Sequence, residues 1–394
     1  MAALAIEQGA RGFEFVRNRV LCALVVAGVA AALGLAFVTV APNRLVSGTG
    51  ITLSGLLVGV RALLLLPAAW LTLAVLMPPS RPVHASVTVS GALLLAGLVW
   101  LAGDEAAAQS ARLASIARVS LGGGFWVLAV LTWLAAADAL QRLGLSPAWR
   151  ALVHAAALLL LAALLGSGAI DQLSLLKEYA NRQDVFDAAA LRHGQIVAAT
   201  LLPALLIGVP LGVAAARSER LARPLFALLN VIQTVPSIAL FGLLIAPLAW
   251  LGGALPGSGI QGIGLLPAVI ALVLYALLPI VHSTASGLRQ VPAGAIESAT
   301  GMGLTAAQRF WSVEIPLALP VLLSGLRVTT VQVIGLAVVA ALIGAGGFGA
   351  LVFQGLASSA LDLVLLGVLP VVALAMAVDA GLELLGCALE GPGR

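Results

Sequence analysis

Long apolar runs alternate along the whole chain with short polar segments. A helix rises about 1.5 Å per residue, so a run of about 20 apolar residues crosses about 30 Å of hydrocarbon. The pattern therefore predicts an all-α, polytopic integral membrane protein with about ten transmembrane helices. The spans are expected at residues 20–41, 54–77, 84–102, 121–139, 149–166, 194–216, 224–247, 264–285, 318–343 and 364–388.

The composition excludes a soluble protein. Hydrophobic residues make up 61% of the 394 positions and charged residues only 9%, and the mean hydropathy is +1.13. A soluble domain could not keep that much apolar surface out of water. Lipid is therefore expected to be the solvent of this chain.

The basic residues predict an orientation in the membrane. All of them except Lys177 are arginines, and they form no basic run of the kind that binds nucleic acid. With the N-terminus in the cytoplasm, twelve fall on the inner side: Arg11, Arg17, Arg19, Arg81, Arg142, Arg150, Arg217, Arg220, Arg223, Arg289, Arg309 and Arg394. Six fall on the outer side: Arg44, Arg112, Arg118, Lys177, Arg182 and Arg192. Because cytoplasmic loops carry the excess of Arg and Lys, both termini are expected in the cytoplasm.

A polar stretch between the fifth and sixth spans predicts a division of the chain. It contains acidic and basic residues among apolar ones and is expected to form an external amphipathic connector at residues 171–192. Residues 1–170 would then be an N-terminal part of about five helices, and residues 193–394 a C-terminal part of five helices.

The segment 287–316, between the eighth and ninth spans, is too polar to cross the membrane. Its local signals predict two short helices joined by a turn. These signals are Pro292 in a first helical turn, Gly301 or Gly303 at a stop, Thr305 and Gln308 at capping-box spacing, and Pro316 at the end of the second helix. A helix lying on lipid headgroups would carry Lys or Arg on its polar face, and residues 290–308 have neither.

This segment resembles the EAA loop of binding-protein-dependent ABC importers. The family pattern is Glu-Ala-Ala, three residues, Gly, nine residues, then a hydrophobic residue, any residue, a hydrophobic residue and Pro. It stands here as Glu297, Ser298, Ala299, Gly303, Val313, Ile315 and Pro316. Ser298 replaces the central Ala, which exchanges one small residue for another.

The resemblance implies a permease subunit whose cytoplasmic loop couples to an ATPase. The implied coupling residues are Glu297, Ser298, Ala299, Gly303 and Pro316. Small residues at the contact face would let the backbones approach closely, and Glu297 could accept a charge-assisted hydrogen bond from a cation on the ATPase. An interfacial helix on lipid is the alternative for this segment.

The C-terminal half is similar to the osmoprotectant subgroup of these permeases, which serves glycine betaine, choline and carnitine. The similar segments are Asn230 to Leu244, Pro267 to Thr284 and Leu342 to Gly349. Members of that subgroup often carry Arg-Asn-Thr where this chain has His282, Ser283 and Thr284. The first 166 residues match the shared core poorly and are similar to the extra helical half of some osmoprotectant permeases.

The chain lacks the Walker A sequence with which ATPases bind phosphate. A phosphate-binding loop of the Walker A type needs a Gly-Lys pair, and Lys177 follows no glycine. ATP and Mg are therefore expected on a separate ATPase subunit, and no cofactor or metal in this chain, since its four histidines are scattered. The resemblance further implies a second permease chain, identical or related, an external solute-binding protein and the bacterial inner membrane.

Arg327 is expected near mid-membrane on the ninth helix. A charge there costs about 2.5 to 3.5 kcal/mol on insertion scales unless it faces water or an anion. The hypothesis is that Arg327 lines a translocation pathway with Gln233 and Gln332. The alternative is that Arg327 extends to the inner headgroups.

Two other functions compete with an osmoprotectant importer. An ABC permease for another small solute, such as an amino acid, would have the same loop. An ion-coupled secondary transporter or membrane-embedded enzyme would need intramembrane carboxylates or a catalytic constellation. Most acidic residues avoid the centres of the spans; Asp138, Asp379 and Glu383 lie toward inner ends.

Overall fold

The computed structural model describes residues 16–43, 48–112 and 117–390. Arg11, Arg44 and Arg394, which belong to the orientation argument, lie outside these residues. The chain divides into two compact units, Met1–Asn181 and Arg182–Arg394. The division falls inside the predicted connector, of which only Ser174–Asn181 is a separate helix. From Gln183 onward the connector continues into the next long helix.

The described part of unit 1 combines helices with a small sheet. Its elements are α1 (Arg19–Gly34), β1 (Ala36–Ala41), β2 (Thr49–Thr52), one helical turn (Leu53–Leu56), a 3₁₀ segment (Gly59–Leu64), α2 (Leu65–Ala74), α3 (Arg81–Arg112), β3 (Arg118–Leu121), α4 (Gly123–Arg142), α5 (Pro147–Gly166) and α6 (Ser174–Asn181). Helix α4 packs against α1 and α3, and α2 packs against α3.

The sheet corrects the prediction of a helix over 20–41. Asn18 caps α1 by accepting a hydrogen bond from the Leu21 N–H at 3.0 Å, but α1 ends at Gly34. The β-branched residues that follow favour a strand, and β1 pairs with β2 and β3 in the antiparallel order β2-β1-β3. The inner face of the sheet is buried, with Phe37 edge-on to Phe125 of α4 at 5.7 Å between ring centres.

Unit 2 contains the longer helices. Its described elements are α7 (Gln183–Arg217), α8 (Glu219–Thr234), α9 (Ser237–Ala254), α10 (Leu265–Arg289), α11 (Ala293–Gly301), α12 (Ala306–Arg309), a π-helical turn (Phe310–Glu314), α13 (Ile315–Val339), a 3₁₀ turn (Ala340–Ile343), α14 (Phe348–Ala357) and α15 (Leu361–Glu390). Helix α10 is central and packs against α7 on one side and α13 on the other.

Within the described chain, eight helices are long and apolar enough to cross a membrane. Three shorter apolar helices accompany them, Arg19–Gly34, Gly59–Ala74 and Phe348–Ala357. The predicted spans 20–41 and 54–77 are the two that fall short of this length. The predicted span 224–247 is interrupted, because α8 ends at Thr234 and Pro236 caps the start of α9. The all-α polytopic fold class is confirmed, with the small sheet as an addition.

Two glycines bring α7 and α10 into close contact. A Cβ atom on Gly208 would lie 2.7 Å from Ile280 Cγ2, and one on Gly212 would lie 2.5 Å from Thr284 Cβ. Small residues four apart on a membrane helix allow this approach of backbones. The sequence offers the same spacing at Gly55 and Gly59, but Gly59 has φ +64° and an open surrounding, so that pair does not pack helices.

We expect Gly212→Ala to destabilise unit 2 by about 1 to 3 kcal/mol, because the new methyl group has to displace Thr284 in a packed interface. The matched control is Gly194→Ala on the same helix, where a Cβ meets no atom within 4 Å. That control should be neutral or stabilising by up to about 1 kcal/mol, since Ala favours a helix over Gly. Thermal unfolding of the detergent-solubilised full chain measures both. Equal melting temperatures for the two variants would contradict the close packing.

Candidate functional site

The EAA loop, residues 287–316, begins as the sequence predicts. Pro292 caps α11, and Gly303 adopts φ +82° in the turn after it. The Leu304 N–H donates to the Ala299 carbonyl at 3.2 Å, which closes the end of α11. Thr305 and Gln308 then form the predicted capping box at the start of α12. The helix-turn-helix is therefore present.

Pro316 does not end the second helix, contrary to the prediction. Helix α12 passes through the π-helical turn Phe310–Glu314 into α13, and Pro316 occupies the first turn of α13. A proline is tolerated there because the first N–H groups of a helix have no partner within the helix. Helix α12 of the loop and the long helix α13 are thus contiguous through the π-helical turn.

The loop exposes only part of its motif. Glu297 and Ser298 are exposed on α11, whereas Ala299 is 1% exposed and faces the protein interior. Ala299 therefore supports the loop from within and is not available to a partner, which corrects its expected place at the contact face. Gly303 and Pro316 are exposed.

Two large apolar side chains lie on the outside of the same loop. Met302 is 73% exposed and Trp311 is 68% exposed. Aromatic and Met side chains are enriched in protein interfaces. Together with Glu297 and Ser298 they give the EAA loop both polar and apolar exposed side chains. The family motif does not include either residue.

A buried carboxylate fixes the loop to the ends of the neighbouring helices. Glu314 is 3% exposed, and it accepts hydrogen bonds from Arg309 Nε at 3.0 Å and from Arg217 Nη2. The Arg309 Nη1 group also donates to Thr300 Oγ1 of α11 at 3.2 Å. The local sequence gives no indication of this role for Glu314, because its partner Arg217 is distant in the chain.

A polar cavity of about 730 Å³ lies among α8, α10 and α13. Its polar lining is Asn230, Gln233, His282, Ser283, Ser286, Arg289, Ser324 and Gln332. No Asp or Glu is among the described residues that line it. Along α10 the lining extends from Leu278 to Arg289, about 16 Å at 1.5 Å per residue. Polar side chains exposed at this depth require water or a ligand, since lipid offers them no partner.

Gln233 and Gln332, two of the predicted pathway residues, both line this cavity. The Gln233 Nε2 group donates to the Tyr275 carbonyl at 2.9 Å. The Tyr275 hydroxyl donates in turn to the Val235 carbonyl at the break between α8 and α9. The Val235 carbonyl is released by the helix break, and the Tyr275 carbonyl by Pro279, which has no N–H to donate four residues further along α10.

Arg327 does not join them, which corrects the proposed pathway set. Its guanidinium points to α15, where it pairs with both oxygens of Asp379, at 2.6 Å for Nη2, and with Glu383 at 3.1 Å. The sequence placed these acids only near the ends of spans. The Arg327 charge is therefore balanced inside the protein, and neither the cavity nor the headgroups are needed to explain it.

The other cavity residues carry a signal that sequence reasoning missed. His282, Ser286 and Arg289 recur at spacings of four and three on α10, which puts them on one face of that helix. A polar stripe on an otherwise apolar helix indicates a water-filled surface. Within the described residues, no group of three or more His, Cys, Asp or Glu side chains could hold a metal ion.

Two family profiles match the chain. Residues 17–176 match the profile described as the N-terminal domain of the ABC transporter permease YehY. Residues 208–388 match the inner membrane component of binding-protein-dependent transport systems. The two matched ranges lie almost entirely in unit 1 and in unit 2 respectively.

Curated relatives match about half of the chain. The osmoprotectant import permease protein OsmW of Salmonella typhimurium is 43% identical over 188 residues, which are 48% of this chain and 84% of that protein. The carnitine transport permease protein OpuCB of Listeria monocytogenes is 39% identical over 48% of this chain and 80% of its own length. The choline transport system permease protein OpuBB of Bacillus subtilis is 36% identical with the same shares.

A solved structure also resembles the chain. It is the MetNI methionine ABC transporter in an inward-facing conformation, with a TM-score of 0.48 and 22% identity. The alignment covers 53% of this chain and 98% of that one.

We expect Arg327→Leu to destabilise the protein by about 1 to 3 kcal/mol, because it leaves Asp379 and Glu383 without a cation. A fully buried pair costs about 3 to 5 kcal/mol to break, and solvent reduces that cost here, since the Arg327 side chain is 34% exposed. Thermal unfolding of the variant and the wild type in detergent measures this loss of stability.

The control that separates charge from packing is Arg327→Leu combined with Asp379→Asn and Glu383→Gln. It should recover much of the lost stability, since no unpaired charge remains. Arg223→Leu, which breaks the exposed pair with Glu219, should have little effect. If Arg327→Leu behaved like Arg223→Leu, the ion pair would not be a stabilising contact.

Proposed function

Because this chain belongs to the family of inner membrane components of binding-protein-dependent transport systems, we propose that it forms the solute pathway of an ABC importer for small osmoprotectants. It is a multi-pass permease subunit. The proposal assigns to it import of a solute such as glycine betaine or choline across the bacterial inner membrane, powered by ATP hydrolysis on another chain.

The observation that carries this proposal is the sharing of two helices between the cavity and the EAA loop. Helix α10 lines the cavity and leads into the loop, and α13 leads out of the loop and also lines the cavity. A displacement of the loop therefore moves two walls of the cavity together. That connection is what a pathway driven by a cytoplasmic ATPase requires.

The proposed partners are those that would supply the missing phosphate-binding loop and cover the exposed residues of the EAA loop. Lys177 is the only lysine and belongs to no phosphate-binding loop, so ATP and Mg are assigned to a separate ATPase subunit. The ATPase docks on the exposed surface formed by Glu297, Ser298, Met302 and Trp311. A second permease chain covers the open side of the cavity, and an external binding protein delivers the solute.

The mechanism is alternating access driven by the partner. ATP binding closes the ATPase pair, the EAA loop moves with it, and the two cavity walls shift so that the pathway opens to the outside. Hydrolysis reverses the movement. For this to occur, both termini and the loop lie in the cytoplasm, as the distribution of arginines predicts.

The lining of the cavity favours a solute that carries a carboxylate. His282, Arg289 and the side-chain amides offer hydrogen-bond donors, and no described lining residue is acidic. A free cation would meet no opposite charge there, whereas a zwitterion brings its own. Among the solutes named for the relatives, carnitine carries such a group, as glycine betaine does.

Glu297→Arg should abolish most ATP-driven uptake in a reconstituted complex, because it reverses the charge of an exposed residue on the proposed docking surface. A buried or interfacial charge pair broken in this way commonly costs about 2 to 5 kcal/mol, which is more than tenfold in binding. The measurements are solute uptake and co-purification of the ATPase. Glu219→Arg, an exposed acid on α8, is the control. Retained uptake with Glu297→Arg would contradict the docking surface.

Ser324→Asp should lower glycine betaine uptake about tenfold, since a carboxylate on the cavity wall repels that of the solute. Uptake of choline, if the complex imports it, should fall less. Ser358→Asp, on an exposed turn after α14, should change neither. The test is uptake of both labelled solutes by proteoliposomes. Equal losses for the two solutes would argue against a charge-selective lining.

A further inference from the structure

The joint between the EAA loop and α13 contains the buried carboxylate of Glu314. Arg309 belongs to α12, just before the π-helical turn, and Arg217 is the last residue of α7. Both donate to Glu314, one to each of its oxygens. One side chain therefore links the loop to two membrane-spanning helices.

The network extends to the helix that carries the family motif. Arg309 also bonds Thr300, three residues after Glu297 on α11. The Arg217 guanidinium lies over the Phe310 ring at 5.7 Å from its centre. Apolar contacts follow the same route, because Ile296 of α11 packs on the cluster of Leu288, Val291 and Ala318.

The chain is locally weakened at this joint. The Ile315 N–H bonds to the Phe310 carbonyl, five residues back, as in a π-helical turn. Such turns interrupt the regular hydrogen-bond ladder and occur often at functional sites. Without a brace, a force on α11 and α12 would bend the chain at Phe310–Glu314 before it reached α13.

Stability alone does not account for a carboxylate at this position. Burying an ion pair costs desolvation energy that the mutual attraction of the charges often only offsets, and apolar residues of similar volume are frequently as stable. What the pair supplies in addition is a fixed geometry, since each Glu314 oxygen has its own guanidinium partner.

We infer that Glu314 is a positioning residue that braces the EAA loop against α7 and α13, so that movement of the loop is transmitted to the cavity walls. The part of this inference that concerns transmission of movement rests on the proposed function. The brace itself is a property of the single chain.

The brace is tested by hydrogen exchange in the detergent-solubilised full chain. Glu314→Gln should raise exchange of the amides of α11 and α12 about tenfold, because local opening becomes easier, while amides of α3 in unit 1 stay unchanged. Glu219→Gln, which alters an exposed pair at the start of α8, should change neither set. Unaltered exchange at α11 and α12 in Glu314→Gln would overturn the inference.

Transmission is tested in proteoliposomes that contain the whole complex. Glu314→Gln and Arg217→Gln should each lower solute imported per ATP hydrolysed about tenfold, within the usual range of coupling effects, with the ATPase still bound. The double variant should resemble the single ones, since both remove the same contact. Glu314→Asp, which keeps the charge, should restore part of the ratio.

The outcomes separate the two proposals. A purely structural role for Glu314 predicts parallel losses of assembly, hydrolysis and uptake, with an unchanged ratio, and that result would overturn the inference. Failure of the wild-type complex to import any osmoprotectant would instead count against the proposed function. The hydrogen-exchange measurement on Glu314→Gln tests the brace in either case, because it needs only the single chain.

Discussion

Lipid offers no hydrogen-bond partners, and this constraint explains where each polar group of the chain is found. Arg327 carries its own counter-ions on α15, and Tyr275 satisfies the carbonyl released where α8 ends. Other polar side chains of unit 2, among them His282, Ser286 and Gln332, line one cavity. The constraint thus accounts both for polar groups that are paired within the protein and for polar groups that face a space water can fill.

The same unit has to hold its helices together and still let some of them move. Gly208 and Gly212 let α7 and α10 pack at close range, which gives α10 a firm support. At its C-terminal end α10 continues into the EAA loop, and the loop leads through the π-helical turn into α13. The support from α7 and the braced joint at Glu314 leave the cavity lined by α8, α10 and α13 as the place where we expect loop movement to have an effect.

Unit 1 is built differently. Its helices α1, α3 and α4 pack around a core that ends in the sheet β2-β1-β3, and Arg61 binds both Asp104 and Glu105 beside that sheet. These contacts give unit 1 its own core. Contacts of this kind stabilise a domain, and Arg61 and Glu105 together with Arg112 also line a smaller cavity of about 440 Å³ in unit 1.

Local sequence was sufficient to predict the fold class, the helix-turn-helix of the loop and the family. Hydrophobic run length decides whether a helix can cross a membrane, and caps such as Pro292 and Thr305 act on their nearest neighbours, so local sequence predicts them. The EAA pattern is likewise a matter of fixed spacing along one segment. Gln233 and Gln332 could be proposed for the pathway because a polar side chain in an apolar helix is conspicuous.

The partners of the charged residues, in contrast, depend on how the helices pack. Arg327 and Asp379, or Arg217 and Glu314, are far apart in the chain, and spacing gives no information on contacts of that range. The strand at 36–41 also depends on tertiary contacts. Its apolar residues are equally compatible with a transmembrane helix, and it is the hydrogen bonds to β2 and β3 that make it a strand. Ala299 belongs to the motif by sequence, but its burial, which depends on the packing of α11, decides that it supports the loop from within.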